Sequence, residues 1–133
     1  MLRKKLAVGI VLGGVILLSD LVIHPQVRVA VQDKDVKKQI AQGREIFLNY
    51  CASCHGIDAT GNGPVAPALK KQPSNLTSIT KKYGKFPTTK IRATITGEAS
   101  LPVHGEKQMP VWGGIINEPE LANLVKYLES IQK

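Results

Sequence analysis

The sequence Cys51-Ala-Ser-Cys54-His55 constrains this chain more than any other feature. It contains both cysteines of the chain, three positions apart, and one of its three histidines follows directly. A disulfide between cysteines this close would close only a tiny loop and would not link distant parts of a fold. The pair is therefore redox-active, metal-binding or covalently modified.

Three interpretations of this motif compete. A thioredoxin-type dithiol expects a βαβ context, whereas the residues before Cys51 follow a helical pattern. A structural zinc site needs four nitrogen or sulfur ligands, and only His24 and His104 supplement the motif. Cys-x-x-Cys-His is also the signature of covalent haem attachment, in which two thioethers hold one edge of the porphyrin. The pattern favours one haem c bound through Cys51 and Cys54, with His55 as an iron ligand.

A second iron ligand is expected opposite the histidine. Met109 lies in the loop-like stretch QMPVWGG and is the only methionine besides the initiator. Methionine opposite histidine gives a six-coordinate iron with a raised reduction potential. The alternatives are Met109 as a core residue, and His104 as the ligand instead. Trp112 is expected to pack near the haem and to donate its N–H to a propionate, or else to be a core aromatic.

The N-terminus predicts export. Residues 6–23 form an apolar run whose one charged residue is Asp20, and residues 3–5 before it are basic. This pattern predicts a single-pass anchor in the cytoplasmic membrane, with the remaining chain on the periplasmic side. A secretory signal peptide has the same basic start, and its cleavage would leave a soluble periplasmic protein. We therefore divide the chain into an anchor or uncleaved signal segment, residues 1–30, and a domain, residues 31–133.

The domain resembles class I, mono-haem c-type cytochromes of the membrane-anchored bacterial kind. The resemblance covers roughly Asp35 to Ile131 and is carried by GREIFLNYCASCHG, GNGPVAPAL and MPVWG. It implies a small all-α cytochrome c fold, in which helices wrap around one covalently bound haem. It also implies that Pro67, with Pro64 as the runner-up, offers its backbone carbonyl to the ring N–H of His55.

Both ends of the domain follow helical patterns. Before the cysteine motif, a helix beginning near Asp33 or Asp35 is expected to present one face: Val36, Ile40, Gly43, Phe47 and Tyr50. At the C-terminus, Asn117 and Glu120 predict a capping box. An apolar stripe follows them: Leu121, Leu124, Val125, Leu128 and Ile131. The resemblance implies that these helices cross where Gly43 and Phe47 meet Leu124 and Tyr127.

The middle of the domain is less regular. SNLTSITKKYGK predicts a short helix with Ser74 as its N-cap and Gly84 as its end. In PTTKIRATITGE, the alternation of Ile91 and Ile95 around Ala93 fits a strand, while the resemblance favours a helix that ends at Gly97.

The charge pattern indicates a type of partner. The chain carries a net charge of +8, and no acidic residue lies between Lys70 and Arg92. The cations of this stretch are Lys70, Lys71, Lys81, Lys82, Lys85, Lys90 and Arg92. They predict a basic face that steers an acidic redox protein, or else an ordinary solvated surface.

These features predict an electron carrier between respiratory redox partners. With both axial positions of the iron filled, no position is open to a small-molecule substrate, so no enzyme activity is expected. Nucleic acid is not expected as a partner of an exported haem domain. The alternatives are a haem subunit of a larger oxidoreductase, and a haem enzyme or gas-binding protein with an open iron site if Met109 is not a ligand.

Overall fold

The computed structural model describes residues 25–98 and 109–133. Within these ranges the chain is helical and contains no strand, as the all-α expectation requires. The helices are α1 (Pro25–Tyr50), α2 (Ala52–His55), α3 (Ile79–Tyr83), α4 (Thr88–Thr96) and α5 (Glu118–Ser130), with 3-10 turns at Ala66–Ala68 and Leu76–Ser78. The apolar run at residues 6–23 lies outside the described residues. Within the described ranges, none of the helices has the length and apolar character needed to cross a bilayer.

Helix α1 begins earlier than the sequence pattern predicted. It starts at Pro25, so a helix start at Asp33 or Asp35 is wrong. Proline is tolerated in the first turn of a helix, and Asp33 instead forms an exposed ion pair with Lys37 one turn later, at 2.7 Å. Val36 is 41% exposed, and the part of α1 that packs on the core begins at Ile40.

The crossing of α1 and α5 forms the centre of the domain. A Cβ atom at Gly43 would lie 2.0 Å from the backbone oxygen of Asn123 and 2.9 Å from the Cβ of Tyr127. Only glycine lets the two backbones approach this closely. Next to this contact, the rings of Phe47 and Tyr127 have their centroids 5.4 Å apart, and Phe47 and Leu124 have no exposed surface. The predicted crossing is confirmed.

The start of α5 has the predicted capping box. The side-chain oxygen of Asn117 accepts a hydrogen bond from the backbone N–H of Glu120 at 3.0 Å. The Glu120 carboxylate accepts one from the Asn117 N–H, also at 3.0 Å. These reciprocal bonds satisfy two N–H groups that a helix start leaves without partners. They fix where α5 begins and therefore the register of its apolar stripe.

The middle segments test the predictions for SNLTSITKKYGK and PTTKIRATITGE. The turn before α3 is capped by Asn75, whose side-chain oxygen accepts from the Thr77 N–H at 2.9 Å; Ser74 as the cap is therefore wrong. The helix ends at Gly84, as predicted, with φ 77°. The segment after it is the helix α4 and not a strand, and Gly97 with φ 81° terminates it.

Candidate haem site

The cysteine motif lies at a sharp turn between two helices. Helix α1 ends at Tyr50, and the short helix α2 begins directly after Cys51. The N–H of Cys51 still donates to Phe47 at 2.8 Å, and the Cys51 carbonyl accepts from the N–H of His55 at 2.9 Å. This turn places Cys51, Cys54 and His55 on the wall of the same cavity.

The Cys51 thiol does not have the character of a redox-active thiol. Both cysteines are free and half-buried. Burial, and secondarily the nearby Cys54 thiolate charge, raise the pKa of Cys51 to about 11. Reactive Cys-x-x-Cys pairs have lowered pKa values, because their surroundings stabilise the thiolate. The surroundings of Cys51 instead suit an uncharged sulfur, as in a thioether.

The loop after the motif folds back onto it. The N–H of Gly61 donates to the carbonyl of His55 at 2.7 Å, and the N–H of Gly63 donates to that of Cys54 at 3.1 Å. A Cβ atom at Gly63 would lie 2.4 Å from the carbonyl oxygen of Ser53. These contacts pack the loop against the motif, and His55 is only 8% exposed.

The ring of His55 is oriented by a carbonyl that the sequence did not identify. Its Nδ1 lies 3.0 Å from the backbone oxygen of Ser74. A donor bond from Nδ1 leaves Nε2 free to bind a metal and raises its basicity. Pro67 and Pro64 are exposed, and neither lines a cavity that contains His55. The expectation that Pro67 holds the ring is therefore wrong.

Local hydrogen bonds explain why Ser74 has this position. The side chain of Asn75 caps the turn that follows it, and the N–H of Leu76 donates to the carbonyl of Ala59 at 2.8 Å. The segment is thus fixed against the loop that leaves the haem motif. The loop contains several prolines, and spacing alone gave no reason to prefer the stretch around Ser74. The Asx-type cap at Asn75 is a local signal of an ordered turn there.

Two cavities meet at the motif. Their volumes are about 120 Å³ and about 230 Å³, and both open to solvent. Both are bordered by Cys51, His55, Ser74 and Met109. The first also has apolar side chains from four helices: Phe47, Ile79, Ile91, Ile95, Leu124 and Leu128. Apolar walls beside two cysteine sulfurs suit an apolar group that is bonded to those sulfurs.

Met109 and Trp112 also border this space. Met109 is half-buried and lines both cavities, while Trp112 lines the second. The Trp112 ring lies 5.2 Å from the ring of Tyr50, centroid to centroid, and its backbone N–H donates to Ile95 at 2.9 Å. The structure thus brings the predicted site residues together, except Pro67. Iron ligation by Met109 and a propionate bond from Trp112 stay predictions, and His104 lies outside the described residues.

The cytochrome c family model matches residues 40–132, from the packed part of α1 to the end of α5. The chain belongs to the cytochrome c family. As in a c-type cytochrome, haem is attached covalently, here through Cys51 and Cys54, with His55 completing the motif. When bound, haem supplies an iron that cycles between Fe(II) and Fe(III).

Curated relatives of this cytochrome c domain include oxidase subunits and a small cytochrome. It is 28% identical over 92 residues to the Cbb3-type cytochrome c oxidase subunit FixP of Sinorhizobium medicae, covering 69% of this chain and 27% of that protein. It is 29% identical over 110 residues to the corresponding subunit CcoP of Cereibacter sphaeroides, covering 83% and 33%. It is 26% identical over 95 residues to cytochrome c6 of Diacronema lutheri, covering 68% and 94%.

The chain matches no more than a third of the length of these oxidase subunits, 27% and 33%. By contrast, the match covers 94% of the cytochrome c6 sequence. No solved structure matches the chain significantly. The comparisons therefore show a cytochrome c domain and leave partners to be proposed.

The cations of the predicted basic face differ in where they lie and in what they contact. Arg92 forms an ion pair with Glu118 of α5, so its charge is already partnered within the domain. Lys71 lines the second cavity, and Lys82 and Lys90 line the first. Several of the predicted docking cations therefore have positions within the site.

Proposed function

We propose that this protein is a single-electron carrier whose haem iron is ligated by His55 and Met109. The observation that carries the proposal is that both side chains, with Cys51, border the same two cavities. His55 has a fixed ring orientation, and Met109 is half-buried beside it. If His55 and Met109 both bind the iron, they would leave it no position for a substrate, so the protein would carry electrons and catalyse no reaction of its own.

The residues of the chain hold the redox centre rigid. The thioether sulfurs prevent loss of the cofactor outside the cytoplasm. The Ser74 carbonyl holds the His55 ring, and apolar side chains such as Leu124 and Ile95 exclude water. An apolar shell and a methionine ligand both raise the reduction potential, because they disfavour the more highly charged ferric state.

The sequence and the relatives support a proposal for the location and the partners. We propose that residues 6–23 anchor the protein in the cytoplasmic membrane, with the haem domain on the periplasmic side. The electron donors and acceptors are respiratory redox proteins with acidic docking surfaces, and the exposed lysines Lys81 and Lys85 steer their approach. Encounter should slow as ionic strength rises, because salt screens charge attraction between surfaces.

A second candidate is a haem subunit held permanently in a larger oxidoreductase. The names of two relatives, both subunits of a Cbb3-type oxidase, favour this alternative. Purification of the full chain from detergent-solubilised membranes distinguishes the two. A fixed subunit co-purifies with stoichiometric partners, and a free carrier does not.

Substitution of the axial ligand tests the proposal. Met109→Leu should remove the weak far-red ferric band of methionine–iron ligation and let carbon monoxide bind the ferrous protein. His104→Leu is the matched control and should leave both the band and the resistance to carbon monoxide unchanged. If His104→Leu opens the iron and Met109→Leu does not, methionine ligation is refuted.

A further inference from the structure

The first cavity has an unusual distribution of charge. Most of its wall is apolar, and among the described residues that line it the permanently charged side chains are Lys82 and Lys90. Tyr83 lies between them and lines the same cavity. A basic cluster at the wall of an otherwise apolar cavity suits a ligand with an apolar body and an anionic end.

The three side chains converge from two helices. Lys82 and Tyr83 form the end of α3, and Lys90 lies in the first turns of α4. The Nζ atom of Lys90 is 4.6 Å from the centroid of the Tyr83 ring, and that of Lys82 is 5.4 Å from it. A hydrogen bond from Lys90, together with the charges of both lysines, lowers the pKa of the Tyr83 hydroxyl.

This positively charged arrangement favours the binding of an anion. Both ammonium groups lie near the face of the Tyr83 ring, and a cation–π contact attracts a positive charge without neutralising it. No carboxylate is found among the described residues that line this cavity. The cluster would therefore be most stable with an external carboxylate or similar anion.

We propose that Lys82, Tyr83 and Lys90 bind the propionate carboxylates of the haem. The porphyrin is bonded to Cys51 and Cys54 through its vinyl edge, and its only anionic groups are the propionates on another edge. Cys51 and the basic cluster line the same cavity. The inference rests on covalent haem attachment and is independent of which residue is the second axial ligand.

The proposal changes the role of two lysines. In a docking role, Lys82 and Lys90 would affect only the rate at which partners associate. As propionate ligands they neutralise negative charge beside the iron and so disfavour the ferric state. Removing either charge should then stabilise ferric over ferrous haem and lower the reduction potential.

Charge-removing variants test this directly in the full-length haem protein. The reduction potentials of Lys82→Gln, Lys90→Gln and the double variant are measured at fixed pH and ionic strength. Lys81→Gln is the matched control, because Lys81 is exposed on the same helix and does not line the cavity. At a fixed solution potential, each cavity variant should reduce the ferrous-to-ferric ratio about three- to ten-fold, where ten-fold corresponds to 59 mV. Lys81→Gln should change it less than about two-fold.

Two results would overturn the proposal. Equal shifts in all three single variants would mean that only the net charge of the domain matters. Unchanged potentials in Lys82→Gln and Lys90→Gln, with slower partner association, would return both lysines to a docking role. The ferric far-red band is recorded for each sample, so that failure of Met109 ligation is detected separately from failure of the propionate contacts.

Discussion

At the scale of single residues, the orientation of His55 depends on space provided by a glycine. Gly61 has φ +92°, and a Cβ atom there would lie 2.2 Å from the carbonyl oxygen of Pro73. Pro73 directly precedes Ser74, whose own carbonyl lies 3.0 Å from the His55 ring nitrogen. A side chain at position 61 would therefore displace the segment that orients the His55 ring.

We predict that Gly61→Ala destabilises the protein and disturbs the haem ligand. A left-handed backbone costs a non-glycine residue about 1–2 kcal/mol, and the contact with Pro73 adds a steric cost. The control is Gly84→Ala, since Gly84 has φ +77° with no atom within 4 Å of its Cβ position. Chemical denaturation should show a larger loss for Gly61→Ala, by at least about 1 kcal/mol. Equal losses would mean that only backbone strain matters.

The sequence identified some of these residues and not others. Cys51, Cys54 and His55 follow from one short motif, because thioether attachment and metal ligation require those residues in that order. Ser74 could not be found in this way, because its contribution is a backbone carbonyl that every residue type possesses. Its role depends on where a long loop folds back, and the loop offered several prolines of similar spacing.

At the scale of helices, the close approach of α1 and α5 fixes the framework of the site. The helix that carries Phe47 leads directly to Cys51, and α5 supplies Leu124 and Leu128 to the wall of the first cavity. An error in this crossing would therefore move two walls of the haem site relative to each other.

We predict that Gly43→Ala destabilises the protein by about 1–3 kcal/mol. Alanine is the better helix former by about 1 kcal/mol, yet its Cβ would lie 2.0 Å from the Asn123 oxygen. The control is Lys38→Ala on the exposed part of the same helix, which should change the free energy of unfolding by less than about 0.5 kcal/mol. A stabilised Gly43→Ala variant would show that the helices do not meet closely in solution.

Helix boundaries were predictable where local chemistry marks them. Asn117 and Glu120 marked the start of α5, and Gly84 and Gly97 marked the ends of α3 and α4. The start of α1 carried no such mark, because Asp33 serves an ion pair within the helix and not a cap. The α4 pattern fits both a helix and a strand, and tertiary packing decides between them.

At the scale of the whole molecule, the haem completes the core. Two open cavities of about 120 Å³ and about 230 Å³ adjoin the core of a small domain, and apolar side chains form much of their walls. Small domains bury a limited fraction of their surface. Haem burial therefore contributes to folding as well as to function.

We predict that the chain without haem is much less stable. Loss of the cofactor leaves the half-buried side chains Leu76, Ile91 and Met109 at the open cavity wall, and complete burial of such a side chain contributes about 1.5–3 kcal/mol. Cys51→Ser combined with Cys54→Ser, produced in a host that matures c-type haem, should unfold at a lower temperature by circular dichroism. The wild-type chain produced without haem maturation is the control for the serine substitutions. It should unfold at about the same temperature as the double serine variant. Similar melting of the apoprotein and haem protein would contradict this account.

The visible spectrum of the purified haem protein is the most direct test of the central claim, which is that His55 and Met109 both bind the iron. Ferric and ferrous spectra are recorded, and carbon monoxide is then added to the ferrous form. The account predicts a low-spin ferrous spectrum, a weak far-red ferric band and no change with carbon monoxide. A high-spin spectrum or prompt binding of the gas would contradict it and would indicate an open iron site.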